Sequence, residues 1–91
     1  MTDGKQGVVD ASESGARPLR EVRVERLWGL RELARQAGVA PHTIYLIEAG
    51  RTTPRLATIR RLVEVLEVDP QMVTEFRHAI HVHTHSRSSI L

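Results

Sequence analysis

With 91 residues, no cysteine and a formal net charge of +2, the chain is sized for one small domain and excludes disulfides, thiolate metal sites and a thiol nucleophile. No apolar run approaches the roughly 20 residues of a bilayer-spanning helix and nothing resembles a secretory leader, so a soluble, cytoplasmic protein without a membrane role is expected. The charge is uneven: residues 17–61 carry ten Arg against four Glu, a local +6, while residues 1–16 and 62–91 carry −2 each, which leaves an Arg-rich module suited to phosphate and guanine contacts between mildly acidic ends.

Residues 1–16 are rich in Gly, Ser and Asp with no sustained period, the composition of a disordered arm. Pro18 suits the first turn of a helix reaching about Leu27, with Leu19, Val22 and Arg26 on one side and Arg23 beside Val22. Leu30, Leu33, Ala34 and Ala37 then fall at i, i+3, i+4 and i+7, one face of a second helix, which Gly38 ends. Pro41, favoured in the first helical position, opens a third helix, and Gly50 closes it. Residues 51–55, RTTPR, form a basic loop. Leu56, Ile59, Leu62, Val63 and Leu66 mark the stripe of a fourth helix. Asp69 as cap and Pro70 as start predict a fifth, with Met72, Val73, Phe76 and Ile80 on its face. After Val82 the chain is polar, rich in His and Ser, and expected to fray. The fold class predicted is all-α: a disordered arm over 1–16, a five-helix domain over 17–80 and a flexible His-rich tail over 81–91. The second and third helices are joined by the short turn GVA, the helix-turn-helix arrangement.

In the third helix, Ile44 and Ile47 face inward and Val39 packs beneath them. Glu48 follows at the core edge, where a carboxylate needs a partner. Arg23 is the one charge on the inner edge of the first helix, so an Arg23–Glu48 ion pair is predicted. The outward residues are His42, Thr43, Tyr45, Leu46 and Ala49. That face is too polar for a core and too apolar for idle solvent surface. His42 and Thr43 suit base edges and Leu46 a thymine methyl, while Tyr45 can donate to a phosphate. Arg31, Arg35, Arg51, Thr52, Thr53 and Arg55 surround it. The helix is thus expected to enter a major groove.

Taken together, Leu33, Ala34, Gly38, Val39, Thr43, Ile44, Ile47, Glu48, Gly50, Pro54, Leu66 and Val68 resemble the Cro/cI-type (XRE) helix-turn-helix family, over about residues 19–78. The resemblance implies a lambda-repressor-like DNA-binding domain of five helices, with the third helix on DNA and a two-fold homodimer on a near-palindromic double-stranded operator. It implies the pairing of Arg23 with Glu48. It carries base contacts onto Pro41, His42, Thr43 and Leu46, and phosphate contacts onto Arg31, Arg51, Thr52 and Thr53, to which the residues themselves add Tyr45 and Arg55. Two departures stand out. Leu30 replaces a polar residue that in many relatives touches phosphate and braces the recognition helix. Ala40 replaces a capping Ser or Thr, at a cost of about 1 kcal/mol of helix stability. Pro41 has no N–H to donate. Base readout therefore rests on His42, Thr43 and Leu46 alone, and modest sequence specificity with a strong backbone component is expected.

Other residues suggest other chemistry. Trp28 is expected in the core, and Phe76 and Ile80 at a dimer contact or as core cover. His78, His81, His83 and His85 are close enough in sequence to suggest zinc, nickel or copper. Lacking Cys or nearby carboxylates, they are expected instead to form a solvated tail that gains charge near about pH 6; no metal and no cofactor is predicted. Ser12 and Ser14 have no base beside them, no Gly-rich loop precedes a helix, and no carboxylate pair lies in a cleft-forming context, so no catalytic residue and no enzyme is expected. The function predicted is sequence-specific binding of double-stranded DNA by a small transcriptional regulator, a repressor, since operator block needs no further machinery. With no room for an effector domain, regulation would come from concentration, a protein partner or the tails. Two alternatives are an antitoxin-type regulator that also binds a protein partner, and a protein-interaction module on the same fold without DNA binding.

Overall fold

The computed structural model describes the backbone of residues 15–90 and the side chains of residues 15–84. The predicted arm, apart from Gly15 and Ala16, lies outside the described residues. Five helices follow: α1 Leu19–Glu25, α2 Leu30–Ala37, α3 Pro41–Glu48, α4 Leu56–Leu66 and α5 Thr74–Ile90, with a 3-10 turn at Pro70–Met72 before the last. Among the described residues the one β-type pairing is an isolated parallel bridge between Arg17 and Val73. Among the described residues the all-α, five-helix architecture expected from the sequence is the one observed.

Every helix contributes to one core. Leu19 and Val22 come from α1, Leu33, Ala34 and Ala37 from α2, Ile44 and Ile47 from α3, Ile59, Leu62 and Leu66 from α4, and Phe76 and Ala79 from α5, with Val73 just before it. Each large side chain buried there contributes about 1.5–3 kcal/mol. Trp28 and Leu30 are half-buried and pack on the cluster from the α1–α2 connection. Leu56, placed on the stripe of α4 by its spacing, is 40% exposed because it opens the helix at the loop.

Helix ends are set by left-handed residues. Gly38 (φ 73°) donates to Arg35 O while Val39 donates to Ala34 O, the two-bond Schellman pattern. Gly50 (φ 72°) and Arg51 repeat it on Ile47 O and Leu46 O. The same pattern closes α1, but with Leu27 in the left-handed position at φ 63°: Leu27 N–H donates to Val24 O and Trp28 N–H to Arg23 O. A leucine there carries strain of about 1–2 kcal/mol, and no glycine announces the stop. Hence α1 ends at Glu25 rather than near Leu27.

The last helix departs from the sequence reading at both ends. Asp69 does cap, accepting from Gln71 N–H at 2.8 Å, but it caps only the 3-10 turn. Arg17 N–H donates to Met72 O and Arg17 O accepts from Thr74 N–H, which holds Val73 extended (φ −112°, ψ 120°) and delays α5 to Thr74. Met72 is consequently 48% exposed instead of lining the helix face, whereas Val73 and Phe76 are fully buried. At the other end α5 runs to Ile90, through the segment expected to fray after Val82. No Gly or Pro interrupts residues 74–90, and Ile80, Val82 and His83 remain half-buried, so neither a breaker nor full solvation ends the helix.

Candidate nucleic-acid interface

The framework of the site is the α1–α3 junction. Arg23 Nε donates to Glu48 Oε2 at 2.7 Å and Arg23 Nη2 to Glu48 Oε1 at 3.1 Å, a two-pronged pair. Arg23 Nη1 donates to Trp28 O at 3.0 Å. The two side chains are only 10% and 9% exposed. One guanidinium thus ties the last residue of α3 to α1 and to the turn that follows α1. Arg61 supplies a second brace from α4: its Nη1 donates to Gly38 O at 3.2 Å, in the turn between α2 and α3.

With Ile44 and Ile47 fully buried and Glu48 paired, α3 is fixed along its inner side. Pro41 stands in its first turn, and Ala40 makes no side-chain cap. His42, Tyr45 and Ala49 are exposed, while Thr43 and Leu46 are half-buried and offer only their outer edges. The His42 and Tyr45 rings stack with centroids 5.7 Å apart and planes 18° apart. Sequence reasoning placed both on the outward face but did not pair them; their i, i+3 spacing carries that signal.

Arg31 lies exposed in the first turn of α2, and Arg51, Thr52, Thr53 and Arg55 lie exposed in the loop between α3 and α4. Among the described residues, the side chains of Arg31, Arg51 and Arg55 take part in no hydrogen bond or ion pair. Arg35, by contrast, is engaged by Glu32. The Glu32 carboxyl is held below its ordinary range, first by a hydrogen bond from Gln36 and then by Arg35. The loop itself is anchored by the buried Pro54.

Three contributions lay outside the sequence reading. Arg61 is one. Glu75 is another: its Oε1 accepts from Leu19 N–H at 2.7 Å, so a carboxylate from α5 closes the start of α1. The third departs from the expected solvated histidines at one residue: His78 and His81 are exposed, but His83 is half-buried and its Nε2 lies 3.1 Å from Pro54 O. None of the three has a local signature, since each joins a side chain to backbone far away along the chain. The described residues contain no group of three or more His, Cys, Asp or Glu placed to hold a metal ion; the side chain of His85 lies outside them. No helix among them is long and apolar enough to cross a membrane.

A family model described as a helix-turn-helix domain matches residues 16–76, a span that holds α1 to α4 and the first residues of α5. No curated protein and no solved structure matches the chain. The match takes in both helices of the turn, the Arg23–Glu48 junction and the basic loop, and the chain belongs to the helix-turn-helix domain family, of the XRE/Cro-like regulator type.

Proposed function

We propose that the protein binds double-stranded DNA in a sequence-specific manner as a small transcriptional regulator, with α3 in the major groove and repression through operator block. One observation carries this reading. The inner side of α3 is locked by Ile44, Ile47 and Glu48, its stacked His42–Tyr45 flank stands exposed, and among the described residues no carboxylate engages Arg31, Arg51 or Arg55 on the neighbouring helix and loop. Exposed guanidiniums on elements that flank an exposed polar helix face suit a polyanion with readable base edges.

The roles follow from position. Arg31, Tyr45, Arg51, Thr52, Thr53 and Arg55 hold phosphates and set the register. His42 and Thr43 offer donors and acceptors to base edges, Leu46 meets a thymine methyl, and Pro41 packs without donating. Arg23 and Glu48 keep the helix at its angle. Acting in the cytoplasm as a homodimer on a near-palindromic operator, the protein would place two half-sites about 10 bp apart.

Selection of bound duplexes from a random pool tests this. The expected outcome is an enriched inverted repeat with centres about one helical turn apart. A pool that stays random through successive rounds would contradict sequence-specific binding.

A further inference from the structure

The loop that carries Arg51, Thr52, Thr53 and Arg55 is held at both ends by its neighbouring helices. Arg51 N–H donates to Leu46 O at the exit of α3, and Ile59 N–H donates to Arg55 O at the entry to α4. Between those anchors, among the described residues, no backbone–backbone hydrogen bond restrains Thr52, Thr53 or Pro54. The middle of the loop instead meets α5. A groove between them is lined by Ile47, Arg51, Thr52, Thr53, Glu75 and His78. Beyond it, His83 Nε2 reaches Pro54 O at 3.1 Å. A carbonyl oxygen has no proton to give, so Nε2 carries the hydrogen and donates.

We propose that His83 is a positioning residue for DNA binding: by holding Pro54 O it fixes the loop in the conformation that presents Thr52, Thr53 and the flanking arginines to phosphates. This inference rests on the DNA-binding reading above. It gives the His-rich part of α5 a purpose in this fold that neither metal binding nor solvation supplies. The contact is half-buried, where a hydrogen bond to a fixed acceptor is worth more than one in open water.

Two variants of the full chain separate the donor from the bulk of the side chain. His83→Leu keeps volume and removes the donor; His83→Gln keeps a donor nitrogen at the same reach. On a random-sequence duplex, His83→Leu should bind about 3- to 10-fold more weakly, the factor expected for one lost hydrogen bond, with a shallower salt dependence. His83→Gln should return to within about twofold of the parent, with melting temperatures alike. In the free protein, backbone relaxation of the Thr52 and Thr53 amides should show greater mobility in His83→Leu only. Equal affinity and salt dependence in His83→Leu and the parent, or equal weakness in both variants, would overturn the proposal. Should the parent itself fail to retain duplex at any salt, the DNA-binding reading falls. The relaxation data then decide the tether alone: loop amides unchanged in His83→Leu overturn it, and amides loosened in His83→Leu but not in His83→Gln support it.

Discussion

Replacing Glu48 by Ala should cost more stability than removing any charge outside the Arg23–Glu48 pair. Both members of the Arg23–Glu48 pair are about nine-tenths buried, and Arg23 spends two of its donors on the carboxylate. Without Glu48 the guanidinium keeps one partner, Trp28 O, and remains a buried cation with unmet donors. Breaking a buried pair from one side costs about 3–5 kcal/mol. For a domain of this size, about 4–8 °C per kcal/mol puts the fall in melting temperature above about 12 °C. Replacing both residues by Met removes the orphaned charge and should recover most of that loss. The assay is urea unfolding followed by circular dichroism for the parent, Glu48→Ala, the single variants Arg23→Met and Glu48→Met and the double Met variant, with stability taken from midpoints at unchanged slope. High salt should leave the Glu48→Ala loss nearly intact, because a buried pair is poorly screened. A Glu48→Ala loss under about 1 kcal/mol, or single-variant losses that simply add in the double variant, would refute the reasoning.

Other outcomes are expected at the surface. Arg51→Ala should weaken binding to every duplex alike and reduce the slope of log affinity against log salt by about 0.9; an unchanged slope would remove Arg51 from the phosphate contacts. Leu27→Gly should stabilise the fold by up to about 1 kcal/mol, since it relieves the left-handed strain at a residue that is 92% exposed. The greater freedom of glycine in the unfolded chain offsets part of that gain, and a melting temperature well below the parent's would contradict the assignment. Glu32 has its carboxyl lowered in the folded state, by Gln36 first and Arg35 second. Its contribution is therefore present above the ordinary carboxylate range, about pH 4.3, and is lost as pH falls through the depressed value. Glu32→Gln should lower the melting temperature slightly at neutral pH, and the gap should close in acid; a constant gap across that range would argue against the contact.

The parts of the fold that were legible are those written in local chemistry. Gly38 and Gly50 supply left-handed turns, Pro41 fits the first turn of α3, and the apolar stripes of α2 and α4 repeat at helical spacing within single elements. Where the outcome depends on distant backbone, the pattern was silent. Pro70 looks like the start of a long helix until Arg17 is laid against Val73 and forces the chain extended. Leu27 ends α1 without the glycine that would have announced it. At the site, the outward side of α3 could be read because it is neither core nor plain solvent surface. The braces behind it could not: Arg61 on Gly38 O, Glu75 on Leu19 N–H and His83 on Pro54 O span 23, 56 and 29 residues of sequence. Side chains that satisfy remote backbone groups leave no period and no motif.

Affinity for an unselected duplex measured across a salt series tests the central claim most directly, because it asks whether Arg31, Arg51 and Arg55 meet phosphates at all. With Arg31, Arg51 and Arg55 engaged, log affinity should fall linearly against log salt with a slope near about −3 per protomer. Retention that is absent throughout, or that does not change as salt is raised, would contradict the account.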